Sequence, residues 1–330
     1  MNRRRFLRNT PLALGVLANL GGLPSIASGQ GTVSPSLPLS SAGASPASAT
    51  RRPRTPRIVV LDWGLTETLV AMGITPVGVA EVAAYQAAVV TPQLPAGVPD
   101  VGLRLAPSLE WLAALSPDLI LINSSQMSQR DLLSRIAPVH AFAVYTDAGA
   151  PYRRAEEVTR ALGDLCQQPQ AAEALIARTH ATLAECTTRL KAFARERNRV
   201  ARAMYVVQFF DARHLGLYGV RSLFNDVMTT LNVPNAWQGA TDYWGIGVGG
   251  LDALRTAPDA GLLYFEPLPD AARQMMHDNR LWHALPAANA GRVAPLAPFW
   301  GFGMLPSAAR FASVLTERLL GDANVGWRPV

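Results

Sequence analysis

One pattern occurs twice in this chain, about 140 residues apart, and it commits the fold to two similar halves. The first copy is Ser108-Leu-Glu-Trp-Leu-Ala-Ala-Leu-Ser-Pro-Asp-Leu-Ile-Leu-Ile122. The second is Gly250-Leu-Asp-Ala-Leu-Arg-Thr-Ala-Pro-Asp-Ala-Gly-Leu-Leu-Tyr264. Each places an acidic residue, Glu110 or Asp252, in the first turn of a short amphipathic helix. A Pro-Asp stop and an apolar strand follow. The separation is too long for a solenoid period. It predicts two α/β lobes, each showing one carboxylate from an equivalent place. Two lobes imply a cleft, and two matched carboxylates imply a partner that grips both lobes at once.

A chain of 330 residues has room for two domains of ordinary size, each with its own core. Beyond the N-terminal leader no apolar run reaches the ~20 residues that span a bilayer. The net charge of +6 misleads. Eight of the 30 basic residues lie in the first 57 positions, which hold no acid. The remainder carries 22 basic against 24 acidic groups, a net of about −2 that argues against a nucleic-acid partner.

The N-terminus, Asn2-Arg-Arg-Arg-Phe-Leu-Arg8, fits a twin-arginine export signal. An apolar stretch from Pro11 to Leu23 and a small-residue cleavage site near Ser25-Ile-Ala27 follow it, so residues 1–27 read as a signal peptide to the periplasm. Cleavage after Ala49 fits the same pattern. Residues 28–56 are rich in Ser, Ala, Pro and Gly and read as a disordered linker. No cysteine stands near either cleavage site, so a lipid anchor is not expected. Cys166 and Cys186 are compatible with a disulfide or with two buried thiols, and their spacing matches no zinc pattern.

Arg57–Asp62 reads as a strand, Thr66–Met72 as a helix ended by Gly73, and Ile74–Ala80 as a second strand. Strand–helix–strand at this spacing predicts parallel α/β packing. Residues 117–122 and 141–145 supply further strands, with a helix over 129–135 between them. From Pro169 to Arg197, apolar Leu175, Ile176, Leu183, Leu190 and Phe193 recur at helical period, which predicts one long helix. Strands at 203–209 and 261–265 and helices at 222–231 and 307–320 complete the pattern. A single long helix between lobes is stiffer than a strand hinge, so the lobes are expected to move little.

These stretches resemble the periplasmic ferric-hydroxamate siderophore-binding proteins, the capture components of iron ABC importers. The resemblance covers about 57–322 and is most specific in Asp211-Ala-Arg-His-Leu-Gly-Leu-Tyr-Gly-Val-Arg-Ser-Leu-Phe224 and in Val233-Pro-Asn-Ala-Trp-Gln-Gly239 running on to Tyr243-Trp-Gly245. Ile58-Val-Val-Leu-Asp-Trp63, Val101-Gly-Leu-Arg104 and Arg135-Ile-Ala-Pro138 add to it. It implies two α/β lobes, 57–166 and 199–330, joined by a single long helix, 167–198, with the ligand cleft between lobes. It further implies no catalysis and no cofactor. The ligand it implies is a preformed Fe(III)–siderophore complex, expected to be carried by a monomer to inner-membrane ABC permease subunits.

In such a complex the siderophore oxygens already fill the iron's shell, so the protein needs hydrogen-bond donors and flat apolar walls, not metal ligands. The resemblance assigns the donor to Arg104, whose planar fork delivers two parallel N–H groups and stays charged. Gln126 stands where the family has a tyrosine donor. Tyr85 keeps a family tyrosine, while a wall tryptophan there has become Ala88; either Gln126 or Tyr85 can supply the second donor. Trp244 and Trp300 match pocket tryptophans, Phe302 replaces a tyrosine, and Trp237 reads as an anchor beneath them. Asp242 and Arg221 replace neutral amides and are open to two readings, selectivity for a charged siderophore or a solvated rim. Glu110 and Asp252 match acids that face arginines on the permease. A helix macrodipole alone also favours an acid in the first turn, by ~0.3–1 kcal/mol.

An enzyme is the main rival. His140, His180, His214, His277 and His283 are scattered, with no His-Glu-x-x-His and no Gly-x-Ser-x-Gly. Gly245–Gly250 imitates a phosphate loop but lacks its Lys-Ser/Thr. Among binding proteins the alternatives are haem, cobalamin or a catecholate chelate. Haem needs an axial Tyr or His, for which Tyr85 is the cleft candidate. A trianionic catecholate complex asks for several cations, and the cleft offers Arg104.

Overall fold

The computed structural model describes residues 55–330. The expected signal peptide and residues 28–54 of the expected linker lie outside the described residues. The first lobe contains β1 (Ile58–Val60), α1 (Trp63–Ala71), β2 (Gly78–Val79), α2 (Val82–Val89), β3 (Gly102–Leu103) and β4 (Ala106–Pro107). It continues through α3 (Leu109–Ala114), β5 (Leu119–Asn123), α4 (Arg130–Leu133) and β6 (Val139–Phe142). Helices α5 (Pro151–Leu165) and α6 (Pro169–Glu196) follow. The second lobe holds β7 (Arg199–Ala201), β8 (Met204–Phe209), β9 (Leu215–Tyr218), α7 (Leu223–Thr230), β10 (Ile246–Gly249) and β11 (Gly261–Phe265). The chain ends through α8 (Asp270–Asp278), α9 (Arg280–His283), α10 (Pro286–Asn289), β12 (Val293–Leu296), α11 (Leu305–Gly321), α12 (Ala323–Gly326) and β13 (Trp327–Pro329).

The first sheet runs β2-β1-β5-β6 and is parallel throughout, as its continuous apolar strands require of a sheet covered on both faces. The second runs β10-β9-β8-β11-β12. Its β8-β11-β12 part repeats the parallel core, while β9 and β10 add an antiparallel edge that the repeat does not announce. The two copies of the repeated pattern thus run into equivalent strands, β5 and β11. They differ in detail: Glu110 opens the α-helix α3, whereas Asp252 lies on a 3₁₀ turn, Leu251–Arg255.

Helix α6 is 28 residues long, about 42 Å at the α-helical rise. Its buried Ala172, Leu175, Ile176, Thr179, Leu183, Cys186 and Leu190 form one stripe. That stripe packs with α5 and α11 into a single core that takes in the inner faces of both sheets. Both cysteines sit in this core as free thiols, and desolvation pushes the Cys166 thiol up to about 11. No helix among the described residues is long and apolar enough to cross a membrane.

The lobes are also stitched together at the N-terminus of α11. Glu67, buried on α1, accepts from Met304 N at 2.6 Å, Ser307 N at 3.3 Å and Ser307 Oγ at 2.7 Å. It supplies the anionic cap that Met304, as N-cap residue, cannot. Tyr145 Oη donates to Gly303 O at 2.7 Å, and Arg310 on α11 donates to Pro298 O at 2.7 Å. Burial raises the Glu67 carboxyl to about 7, against these hydrogen bonds, which lower it.

A carboxyl whose folded-state pKa exceeds its unfolded value contributes stability that is complete below pH 4.5 and is lost as pH rises through 7. The protein should therefore lose about 3 kcal/mol from this group between those limits. Glu67→Gln, which keeps an acceptor for Met304 N, should flatten that part of the pH dependence. Denaturant melts of both proteins at pH 5, 6, 7 and 8 check it; parallel curves would show that Glu67 does not titrate there.

Candidate functional site

Arg104 and Leu105 are the two turn residues of the β3–β4 hairpin, whose pairs are Leu103↔Ala106 and Gly102↔Pro107. A two-residue turn projects its side chains from the sheet surface, and three contacts hold this one in place. Arg104 Nε donates to Glu81 Oε2 at 2.7 Å, and Arg104 N donates to Oε1 at 3.3 Å. Gln126 Nε2 donates to Arg104 O at 2.8 Å. The guanidinium carbon lies 4.0 Å from the Trp63 ring centroid and 4.7 Å from that of Trp300. The ion pair uses one edge of the guanidinium, and the Trp63 and Trp300 rings, whose centroids are 4.6 Å apart, lie together on one side of it. Among the described residues, neither Nη atom has a hydrogen-bond partner.

Glu81 holds φ at +54°, a left-handed conformation that costs an L-residue about 1–2 kcal/mol. Asp100 offsets it: Oδ1 accepts from Glu81 N and Gly102 N, and Oδ2 accepts from Val82 N. One strained residue is thus the one that grips the arginine.

Arg104 faces a cavity of about 420 Å³, within the range of small-molecule sites. Gln126, Trp244, Trp300 and Phe302 line it with Arg104. So do Asp62, two residues past β1 and the N-cap of α1, and Asn123, the last residue of β5. The aromatic wall is continuous. Ring centroids are 4.6 Å apart for Trp63–Trp300, 5.2 Å for Trp300–Phe302, 4.7 Å for Phe302–Trp244 and 4.9 Å for Trp244–Tyr243.

Three expected ligand contacts have other work. Tyr85 is not in the cleft: it lies on α2, fully buried in a small core with Trp63 and Val89, and its Oη donates to Pro92 O at 2.8 Å. Gln126 lines the cavity but is 1 % exposed. Its Oε1 accepts from Asn123 N, and its two amide hydrogens are taken by Leu61 O and Arg104 O. It positions Arg104 and has no donor left for a ligand. Asp242 is exposed and does not line the cavity. Its Oδ1 accepts from Trp244 N and Ile246 N at 2.9 and 3.0 Å, fixing the turn that carries Trp244. Gly245 is obligatory there: its φ is +83°, and a Cβ would fall 2.2 Å from Ser222 N. Arg221 sits at the rim, donating to Thr241 O and 3.5 Å from Asp147.

Sequence reasoning passed over Asp62, Glu81 and Asn123. A signal existed for two of them, since residues at the C-terminal ends of parallel strands line the crevice of an α/β sheet. Desolvation raises the Asp62 carboxyl, opposed by hydrogen bonds from Leu65 N and Asn123 Nδ2 and by the charge of Arg104. The cavity walls thus carry one cation and two carboxylates, Asp62 and Glu81.

A family model for periplasmic binding proteins matches residues 58–298. The chain belongs to the periplasmic binding protein family. It is similar to the iron(3+)-hydroxamate-binding protein FhuD of Escherichia coli (strain K12), with 32% identity over 267 residues, 81% of this chain and 88% of that one. The Fe(3+) dicitrate-binding periplasmic protein FecB of the same organism is 27% identical over 244 residues, 72% and 75% of the two chains. Among solved structures, the Fe3+-Desferal-bound siderophore binding protein FhuD of Vibrio cholerae matches with a TM-score of 0.74 at 30% identity, covering 81% of this chain and 98% of that one.

A periplasmic binding protein is a transport component and not an enzyme, so its outer surface matters as much as its cleft. Glu110 and Asp252 are both exposed, and among the described residues neither has a hydrogen bond or an ion pair. The side-chain cap of α3 comes from Ser108, whose Oγ accepts from Trp111 N, so Glu110 is not needed for it.

Proposed function

We propose that this protein captures an Fe(III)–hydroxamate siderophore in the periplasm and delivers it, as a monomer, to an inner-membrane ABC permease. We propose further that Glu110 and Asp252 dock its two lobes on the two permease subunits, and that the N-terminus is a twin-arginine export signal. The carrying observation is the cleft: a clamped arginine with two free Nη donors facing a wall of Trp300, Phe302 and Trp244. Three hydroxamates cancel the charge of Fe(III), so the complex is electroneutral at its core. Walls with one cation and two carboxylates suit that ligand and oppose a trianionic catecholate complex. Neither histidine nor tyrosine is among the residues lining the cavity, so the axial ligand that haem requires is missing from its walls. The names of the FhuD relatives support the same ligand class.

The test is titration of the mature protein with ferric ferrichrome-type and ferrioxamine-type ligands, read by tryptophan fluorescence. Strong quenching is expected, because Trp244 and Trp300 flank the bound iron complex. Absence of quenching with both ligands, together with a haem Soret shift, would replace this reading with haem binding.

A further inference from the structure

Below the main cavity lies a second, much smaller void whose purpose the capture of an electroneutral iron complex does not explain. It measures about 10 Å³, room for the centre of one water-sized group. Tyr145, Trp244 and Phe302 are among the residues that line it. Their ring centroids stand 5.4 Å apart for Tyr145–Trp244, 5.8 Å for Tyr145–Phe302 and 4.7 Å for Trp244–Phe302. Asp62 is its one charged wall. The two voids adjoin, since Asp62, Asn123, Trp244 and Phe302 line both.

Asp62 is 8 % exposed. Oδ1 accepts from Leu65 N at 2.8 Å and Oδ2 from Asn123 Nδ2 at 2.7 Å. A carboxylate offers about four lone-pair sites, and the groups that donate to this one, Leu65 N, Asn123 Nδ2 and the Gly64 backbone, are all neutral. The cation that acts on Asp62 is Arg104, which is already ion-paired with Glu81. Desolvation is the largest influence on the Asp62 carboxyl and raises its pKa, as befits an anion without a fixed counter-ion of its own. A buried carboxylate beside aromatic rings suits an ammonium: a carboxylate accepts its N–H bonds, and an aromatic ring attracts a cation.

We propose that this void is an ammonium subsite, in which Asp62 and the rings of Tyr145, Trp244 and Phe302 receive the primary ammonium of an aminoalkyl arm on the siderophore. The inference rests on the ferric-hydroxamate reading and narrows it to linear, ferrioxamine-type trihydroxamates that end in a free amine. An NH₃⁺ group is water-sized and fits the void. An acetamide is larger and neutral, and a trimethylammonium is charged but too bulky.

The experiment compares three Fe(III) complexes of one linear trihydroxamate on the mature protein, with its terminal amine free, N-acetylated or trimethylated. The free amine should bind roughly tenfold tighter than either capped form, the scale of one charge-assisted hydrogen bond. Asp62→Asn keeps an N-capping side chain for α1 and should reduce that ratio to near one. Equal affinities for all three complexes in the parent protein overturn the subsite and leave hydroxamate capture standing. A tenfold ratio that persists in Asp62→Asn places the amine elsewhere and overturns it too. If the trimethylated complex matches the free amine, the group does not enter the small void and the subsite is overturned. Failure of all three while a ferrichrome-type complex still binds overturns the subsite, whereas failure of the ferrichrome-type complex as well removes hydroxamate capture itself.

Discussion

Arg104→Ala is expected to weaken ferric-hydroxamate binding by about 1.5–3 kcal/mol, the value of hydrogen bonds from a charged donor, or roughly tenfold to a hundredfold in Kd. The loss has three parts. The two free Nη donors disappear from the cavity wall. Glu81 is left as an unpaired, half-buried carboxylate facing the ligand. The cation's contact with the paired Trp63 and Trp300 rings is also lost. Arg104→Lys should recover only part of the affinity, because an ammonium cannot be held by one edge while presenting two donors from the other. Glu81→Gln should fall between parent and Ala: the guanidinium survives, but its charged anchor is gone. Calorimetric titration of the variants, with thermal melts to confirm folding, decides the matter. Parent-like affinity in Arg104→Ala would mean that the ligand sits elsewhere.

Iron uptake in cells should collapse when Glu110→Ala and Asp252→Ala are combined, while siderophore affinity and the thermal midpoint stay near the parent's. Both carboxylates are exposed, neither lines the cavity, and neither supplies a cap hydrogen bond. Their removal therefore leaves the core and the cleft untouched. Charge pairs at a rim steer and orient docking, so losing both removes the orientation of each lobe. Each single variant should show a milder defect that deepens as salt is raised, since one remaining pair is screened. The reversed pair, Glu110→Arg with Asp252→Arg, should be worse than double Ala, because repulsion is added to lost attraction. Normal uptake by the double Ala variant would return both acids to a local role at the starts of their helical turns.

Periodic patterns were legible from the chain alone, because they are local. The apolar stripe of α6, the strands Leu119–Asn123 and Gly261–Phe265, and the duplicated acid–helix–strand unit each follow from residues within a few positions of one another. The same holds for Arg104 and for Trp244, Trp300 and Phe302, which family motifs mark as a group and which the fold gathers around one cavity. What the tertiary structure decided is the direction and occupancy of polar side chains. Gln126 spends an amide hydrogen on Leu61 O, 65 positions away, and Arg104 finds Glu81 23 positions away. Glu67 meets Met304 across 237 positions, and Tyr85 turns inward to Pro92. A donor's availability to a ligand depends on which partners the fold has already given it, and those partners come from strand ends and helix termini remote in sequence. For that reason residue type was enough to name a guanidinium and an aromatic wall. Only packing could show that a glutamine and a tyrosine were already committed.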